Sequence, residues 1–258
     1  MTINFQNPND HFTYARREAD SSWIQFVKQI CDIKGKRVLD IGCGGGIYAK
    51  ALADMGALHV TCLDFSEKML SAAKVNLQSY QNIEFRLGNA LQTGLPSEQY
   101  DIVLIRAVIH HLNDIETCFQ EIFRLLKRGG SCMIQDRTPD DCLVEGSNEH
   151  IRGYFFTKYP QLVEKETSRR HSGENVRDAL KLTGFETISK HILWETRRKY
   201  EDRQELFDDI INRTGRSILH ELNDYQLQDL VDYLKEKLPG HQPIVEKDRW
   251  TIWKADKQ

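Results

Sequence analysis

The chain predicts an α/β fold, a doubly wound, mostly parallel, seven-stranded sheet with helical insertions forming a lid. Three observations carry that expectation. Short runs rich in Val, Ile and Leu alternate with longer amphipathic segments from residue 37 to residue 135, and strands that are apolar throughout and separated by helices belong to a parallel sheet covered on both faces. A glycine-rich turn, Gly42-x-Gly44-x-Gly46, joins the first such strand directly to a helix. With 258 residues, 40% of them hydrophobic and 28% charged, the chain has enough apolar side chains for one large α/β domain carrying additions.

Taken in order, Arg37–Ile41, Leu58–Leu63, Ile83–Leu87, Tyr100–Ile105 and Ser131–Gln135 read as five parallel strands, each bounded by Gly, Asp or Asn. Helical spacing fills Ile47–Met55 ahead of Gly56, Ser66–Ser79, and Ile115–Lys127 ahead of Gly129-Gly130. The rhythm breaks after Gln135. Residues 138–172 read as a long irregular stretch, followed by a helix over Ser172–Thr183 with Ser172 as its cap and Gly184 as its stop. Ile188–Trp194 alternates like a half-exposed strand, 199–238 returns to helical spacing, and Arg249–Lys254 reads as an edge strand. These last two strands form the antiparallel pair that completes seven. Long insertions in such a domain usually serve as lids or binding elements.

Charge is unevenly spread. The whole chain is net −3, yet residues 151–217 carry 14 basic and 11 acidic side chains, net +3, while residues 1–150 carry 15 and 19, net −4. That imbalance is too weak for a general nucleic-acid footprint and compatible with a small anionic ligand. Six scattered cysteines without a C-x-x-C pair argue against a disulfide framework or a zinc site. The polar start MTINFQNPNDHF has no signal-peptide pattern, and no apolar run approaches the roughly 18 residues of a membrane span. A cytoplasmic protein without metal, membrane or nucleic-acid partners is expected.

The decisive segment is Val38-Leu-Asp-Ile-Gly-Cys-Gly-Gly-Gly46, an apolar strand running through Asp40 into the glycine turn. Glycine suits a tight turn on which a ligand lies against bare backbone. A dinucleotide site would want a third glycine or alanine one position later, to accommodate a pyrophosphate; that position is Ile47. The spacing fits instead a ligand with an amino-acid part. Asp64 ends the next strand 22 residues after Gly42, where a carboxylate accepts from two ribose hydroxyls. Phe65 and Met69 follow it, suited to an adenine face.

With VLDIGCGGG (38–46), LDFSEKML (63–70), LGNALQTGLP (87–96), YDIVLIRAVIHHLND (100–114) and LLKRGGSCMIQD (125–136) in this order, the chain resembles the class I S-adenosylmethionine-dependent methyltransferases, in the broad methyltransferase type 11 group. The likeness covers about a hundred residues. It implies a Rossmann-like methyltransferase fold with S-adenosylmethionine as cofactor. It further implies that Asp40, Gly42, Cys43, Gly44 and Gly46 hold the methionine part and that Asp64 binds the ribose. Gly88-Asn89-Ala90 stands where relatives have Gly-Asp-Ala, so Asn89 and Ala90 meet the adenine, with the Asn89 carbonyl replacing a carboxylate. Arg106 lines the methyl end, and Tyr14 or Arg17 from the N-terminal segment contacts the cofactor carboxylate.

For catalysis, His111 is the candidate general base, needed only if the acceptor sheds a proton. His110 and Arg137 stand at the same rim as substrate contacts. Tyr154 and Phe155, with Arg169, Arg170 and Arg197, are the candidate acceptor contacts from the insertions, since arginine forks suit carboxylate or phosphate. The organisation expected is a cofactor-binding core with an N-terminal lid segment over 1–137, an insertion near the acceptor over 138–172, a core helix and strand over 173–198, a helical lid over 199–243, and a final strand over 244–258. The activity expected is methyl transfer to a small, anionic acceptor by in-line displacement. An RNA or protein methyltransferase, or a protein that binds the cofactor without turnover, are the alternatives.

Overall fold

The computed structural model describes residues 18–240 and 243–258. Its chain runs through α1 (Ser21–Ile30), β1 (Arg37–Ile41), α2 (Ile47–Asp54), β2 (His59–Asp64), α3 (Glu67–Asn76), β3 (Ile83–Leu87), β4 (Tyr100–Arg106), α4 (Ile115–Leu125) and β5 (Leu126–Asp136). It continues through α5 (Pro139–Cys142), α6 (Arg152–Lys158), α7 (Leu162–Thr167), α8 (Gly173–Thr183), β6 (Thr187–Tyr200), α9 (Arg203–Ile211), α10 (Asp224–Lys237) and β7 (Ile244–Asp256). The strands form one seven-stranded sheet in the order β3-β2-β1-β4-β5-β7-β6, with β1 to β5 parallel and β7 antiparallel to β5. The expected sheet is therefore the observed one.

Two departures have physical causes. Arg249–Lys254 belongs not to an edge but to an inner strand, because β7 lies between β5 and β6. Lys254 pairs its amine with Asp256 and keeps most of its side chain buried, while Trp250 and Trp253 are buried on opposite faces. The stretch 138–172 is not irregular but holds α5, α6 and α7, of four, seven and six residues. Helices that short show too few turns to register as periodicity. Thr138 opens α5 with a reciprocal capping box to Asp141.

Two compact units result. Among the described residues, one takes in 18–136, His171–Leu193 and Thr251–Gln258; the other takes in Arg137–Arg170 and Trp194–Trp250. In the first, strand alternation divides the core between the two faces of the sheet. Leu39, Ile41, Val103 and Ile105 pack with Phe119 and Trp253 on one face, and Val38, Val60 and Leu104 pack with Trp23 and Leu52 on the other. Helix α1, for which the sequence offered no clear signal, supplies Trp23, whose indole N–H donates to Gln135 at 2.8 Å.

The helical unit has its own core, built from Phe155, Phe156 and Leu162 against Leu206, Leu227 and Leu230. Phe155 is fully buried there, which corrects its expected role as an acceptor contact: in a helix of seven residues only one side can reach solvent, and the aromatic at this position faces the core. Tyr154, one residue earlier, is half-buried and packs edge-on to Tyr233 at 6.2 Å between ring centres. Phe155→Ala should destabilise the protein by about 3–5 kcal/mol, seen as a lowered urea midpoint. A pocket residue would change acceptor KM and leave that midpoint in place.

Candidate active site

Register brings the site together. Ile41 pairs with Leu63 on one side and Ile105 on the other, so Gly42, Asp64 and Arg106 follow at one level of the sheet. Arg106 in turn pairs with Gln135, setting Ala107 level with Asp136. The order reverses between β1 and β4, which opens the crevice where ligands bind in sheets of this class.

The glycine turn is demanded first by the protein itself. Gly42 and Gly46 have φ of +73° and +84°, a region that side chains disfavour. A Cβ at Gly42 would strike the side chain of Val108, and one at Gly46 would come within 2.5 Å of Leu77. Bare backbone is thus required for packing as well as for any ligand. Asp64 closes the turn: its carboxylate accepts from the amides of Gly44 and Ser66, both at 2.9 Å. Burial raises its pKa, opposed by the amides of Ser66, Gly44 and Phe65. Carboxylate oxygens offer about four acceptor positions, so capacity for ribose hydroxyls remains.

Asp40 is buried and accepts from the Ala49 amide in the first turn of α2, while its Oδ2 has no hydrogen-bond partner. Burial, and then the nearby Asp64 charge, push its carboxyl up to about 7, against the pull of Arg106 and of the Ala49 amide. A lone carboxylate oxygen beside a second carboxylate is a seat for a cation. Helix α2 starts at Gly46, which has no side chain to cap it, and an uncapped helix N-terminus favours an anion. Cation seat and anion seat side by side suit a zwitterionic amino-acid group.

The other expected cofactor contacts divide. Phe65 stands 68% exposed beside the turn, and the Met69 methyl lies 3.3 Å from where a Gly44 Cβ would be. Arg106 stacks on Tyr48 at 4.1 Å from the ring centre. Asn89 is exposed and its side-chain oxygen accepts from the Leu91 amide at 2.9 Å, closing a local turn; Ala90 packs partly against the core. The Cys43 thiol is buried in the core beside Cys62, and that contact together with burial raises its pKa far above the ordinary range, so Cys43 has only its backbone to offer a ligand. Tyr14 and Arg17 lie outside the described residues.

Beyond β4 the chain turns sharply at Ala107, a non-glycine residue at φ +55° whose amide donates to the Gln135 carbonyl at 2.8 Å. The turn seats Val108 against Gly42 and carries His110 and His111. His110 is largely buried and its Nδ1 lies 2.8 Å from Oδ2 of the buried Asp136, whose carboxylate also accepts from the His110 amide at 3.2 Å. That carboxylate selects the Nδ1–H tautomer and makes Nε2 the basic nitrogen. His111 is exposed and stacks on His110 at 4.0 Å between ring centres. The pairing with Asp136 therefore belongs to His110, and the sequence had no means of telling which of the two rings would meet it. A further clamp went unseen in the sequence. His171 Nε2–H donates to the carbonyls of Ile109 and Leu112 at 3.0 and 2.9 Å, while its Nδ1 accepts from Asn175 at 3.2 Å.

A methyltransferase-domain family profile matches residues 39–134. The ubiquinone biosynthesis O-methyltransferase of Pseudomonas fluorescens is 33% identical over 181 residues, covering 65% of this chain and 76% of that protein. The chain belongs to the S-adenosylmethionine-dependent methyltransferases. This methyltransferase is also similar in fold to two solved structures. One is phosphoethanolamine N-methyltransferase 2 of Haemonchus contortus, in complex with phosphomonomethylethanolamine and S-adenosylhomocysteine (TM-score 0.60, 20% identity, 96% of this chain and 57% of that one). The other is an S-adenosylmethionine-dependent methyltransferase of Mesorhizobium loti (TM-score 0.54, 17% identity, 92% and 98%). The cofactor is S-adenosylmethionine, and the features of Asp40, Asp64 and the start of α2 fit it.

The expected acceptor arginines are engaged within the helical unit. Arg137 pairs with Asp248 and stacks on Trp250 at 4.3 Å. Arg197 is buried against Glu246 at 3.1 Å and the Thr214 carbonyl at 2.8 Å, a placement that makes it part of the core rather than an acceptor contact. Arg169 and Arg170 both bind Glu166. The methyltransferase has no helix long and apolar enough to cross a membrane and no metal-ligating cluster among the described residues.

Asp40→Asn tests the site. Because the folded carboxyl titrates near 7 against 3.8 for the ordinary group, the folded chain holds a proton that the unfolded chain has lost. Stability therefore falls as pH rises from about 4 to 7, and the full penalty persists above. Asparagine removes it. At pH 8 the variant should be more stable by on the order of 3 kcal/mol, with little gain at pH 4, while calorimetry should show S-adenosylmethionine binding weakened at least about tenfold. Equal pH dependence of the two proteins, or undiminished binding, would overturn the assignment.

Proposed function

We propose that this methyltransferase carries the methyl group of S-adenosylmethionine to a hydroxyl oxygen of a small anionic acceptor by in-line displacement, with His110 taking the hydroxyl proton. The observation that carries this reading is the His110–Asp136 pair at the ends of β4 and β5, on the turn that packs Val108 against the glycine loop. A hydroxyl needs a base and most carboxylates and thiolates do not. The name of the Pseudomonas relative, an O-methyltransferase, points to the same atom. The excess of basic over acidic residues in 151–217, 14 against 11, supports an acceptor of negative charge.

Bound S-adenosylmethionine supplies a methyl group on a sulfonium, already activated for displacement. The chain does the rest by orientation. Asp40 and the start of α2 hold the amino-acid part, Asp64 the ribose, and Phe65 and Met69 the adenine faces. Asn89 and Ala90 border the adenine edge, and Arg106 lines the methyl end. Asp136 keeps Nε2 of His110 basic and steadies the imidazolium that forms. His171 holds the Ile109 and Leu112 carbonyls and so fixes the turn.

Labelled cofactor incubated with a small-molecule extract should place label in a low-mass anionic product. Label confined to RNA or protein, or none above background, would defeat the reading. With the acceptor in hand, His110→Gln should lower kcat by about 10²–10⁴ and abolish the rise of rate with pH through an imidazole titration, with cofactor binding retained. His111→Gln should keep the pH profile. A wild-type profile in His110→Gln would remove the base from the mechanism.

A further inference from the structure

The turn that bears His110 is held by a residue about sixty positions further along the chain. Helix α8 packs Val176, Ala179 and Leu180 into the same core as Phe119 and Ile122 of α4, so its place beside the turn is set by apolar burial. Ser172 caps α8, its side chain accepting from the Asn175 amide at 3.1 Å. His171 stands immediately before that cap. Its Nε2 lies 3.0 Å from the Ile109 carbonyl and 2.9 Å from the Leu112 carbonyl. Two carbonyl oxygens call for a donor, so Nε2 carries the proton, and Nδ1 is left to accept from the Asn175 side-chain amide at 3.2 Å. The two carbonyls belong to the residue just before His110 and the residue just after His111. The clamp thus brackets both histidines, while the Asp136 carboxylate accepts from the His110 amide and meets Nδ1 from the end of β5.

We propose that His171 is a positioning residue for His110: by holding the carbonyls on either side of the histidine pair, it keeps the His110 ring on Asp136 in the tautomer that leaves Nε2 basic. This rests on the reading of His110 as the base and adds the group that orients it. The Asp136 carboxylate meets one nitrogen of the ring, but it does not stop the backbone beneath the ring from rotating. That backbone has a reason to move, because Ala107 is held at φ +55°, a conformation costly to a residue with a Cβ. Hydrogen bonds weaken steeply with angle, so a small rotation of the turn would break the 2.8 Å contact between His110 and Asp136. An imidazole freed from that carboxylate can carry its proton on Nε2 instead. In that tautomer Nε2 has no lone pair for the proton of an acceptor hydroxyl. His171 therefore acts on the reaction through the backbone, without touching cofactor or acceptor itself.

The full-length protein is labelled at its histidine ring nitrogens, and the His110 tautomer is read by NMR at neutral pH, with His110→Gln assigning its signals. Wild type should show His110 protonated on Nδ1. His171→Gln places an amide donor where Nε2 stands and should keep that tautomer. His171→Asn places its amide near Nδ1, out of reach of both carbonyls. It should move His110 toward the Nε2–H form, with the Nδ1–H signal lost to solvent exchange. If His171→Asn does not fold, Asn175→Ala, which unties only Nδ1 of His171, should move His110 in the same direction. With the acceptor from the labelling screen, His171→Asn should lower kcat about tenfold to a hundredfold, and His171→Gln should restore most of the loss. A contact that serves stability alone would lower the melting temperature of His171→Asn and leave the His110 tautomer in place. That result would overturn the proposal, as would equal losses in His171→Gln and His171→Asn. A shifted tautomer in His171→Asn together with a wild-type rate profile in His110→Gln would defeat the base reading and leave the positioning intact. An unshifted tautomer together with a profile lost in His110→Gln would defeat the positioning alone.

Discussion

The Asp64 carboxylate, accepting from the amides of Gly44 and Ser66, ties the end of β2 to the glycine turn after β1 and starts the next helix at the same time. Much else in the cofactor half depends on that bond. It holds the turn in a left-handed backbone that only glycine tolerates easily, and it places a second carboxylate close enough to Asp40 to help keep Asp40 protonated near neutral pH. Packing then adds its own demands. Val108 and Leu77 occupy the space that side chains at Gly42 and Gly46 would need, so the turn is determined from both sides by strand ends and helix starts.

Around this turn the protein keeps polar groups in states that cost stability. Asp40 has a buried oxygen without a partner, Ala107 adopts a backbone conformation unusual for a residue with a Cβ, and Asp136 is buried with its charge directed at His110. Such features persist where the surroundings impose them, and they gather where a ligand would relieve them. The clamp from His171 onto the Ile109 and Leu112 carbonyls has the opposite character: it satisfies backbone groups and stiffens the turn bearing the histidines.

The helical unit follows a different economy of charge. Around Glu246, Arg197 and Arg216 share a carboxylate with the hydroxyl of Tyr200, and Asp209 answers Arg198. Those contacts link strand to helix and leave few donors idle.

The sequence by itself determined the alternation of five parallel strands with helices, the strand-turn-helix at Gly42–Gly46, the acidic residue after β2 and the family to which these motifs belong. Each depends on neighbours within a few residues: apolar runs, turn glycines and caps such as Ser172 on α8 are local statements. Only the tertiary structure decided which of two adjacent histidines meets Asp136, that Phe155 and Arg197 serve the core, that the Cys43 thiol lies buried beside Cys62, and that β7 lies inside the sheet. Arg152, fourteen residues from Glu166, and His171, about sixty from the carbonyls it holds, carry no local mark of their partners. Chain folding brings such groups together, and burial makes their pairing matter, because in a low-dielectric interior a charge or a donor must find its partner wherever the sequence has put it.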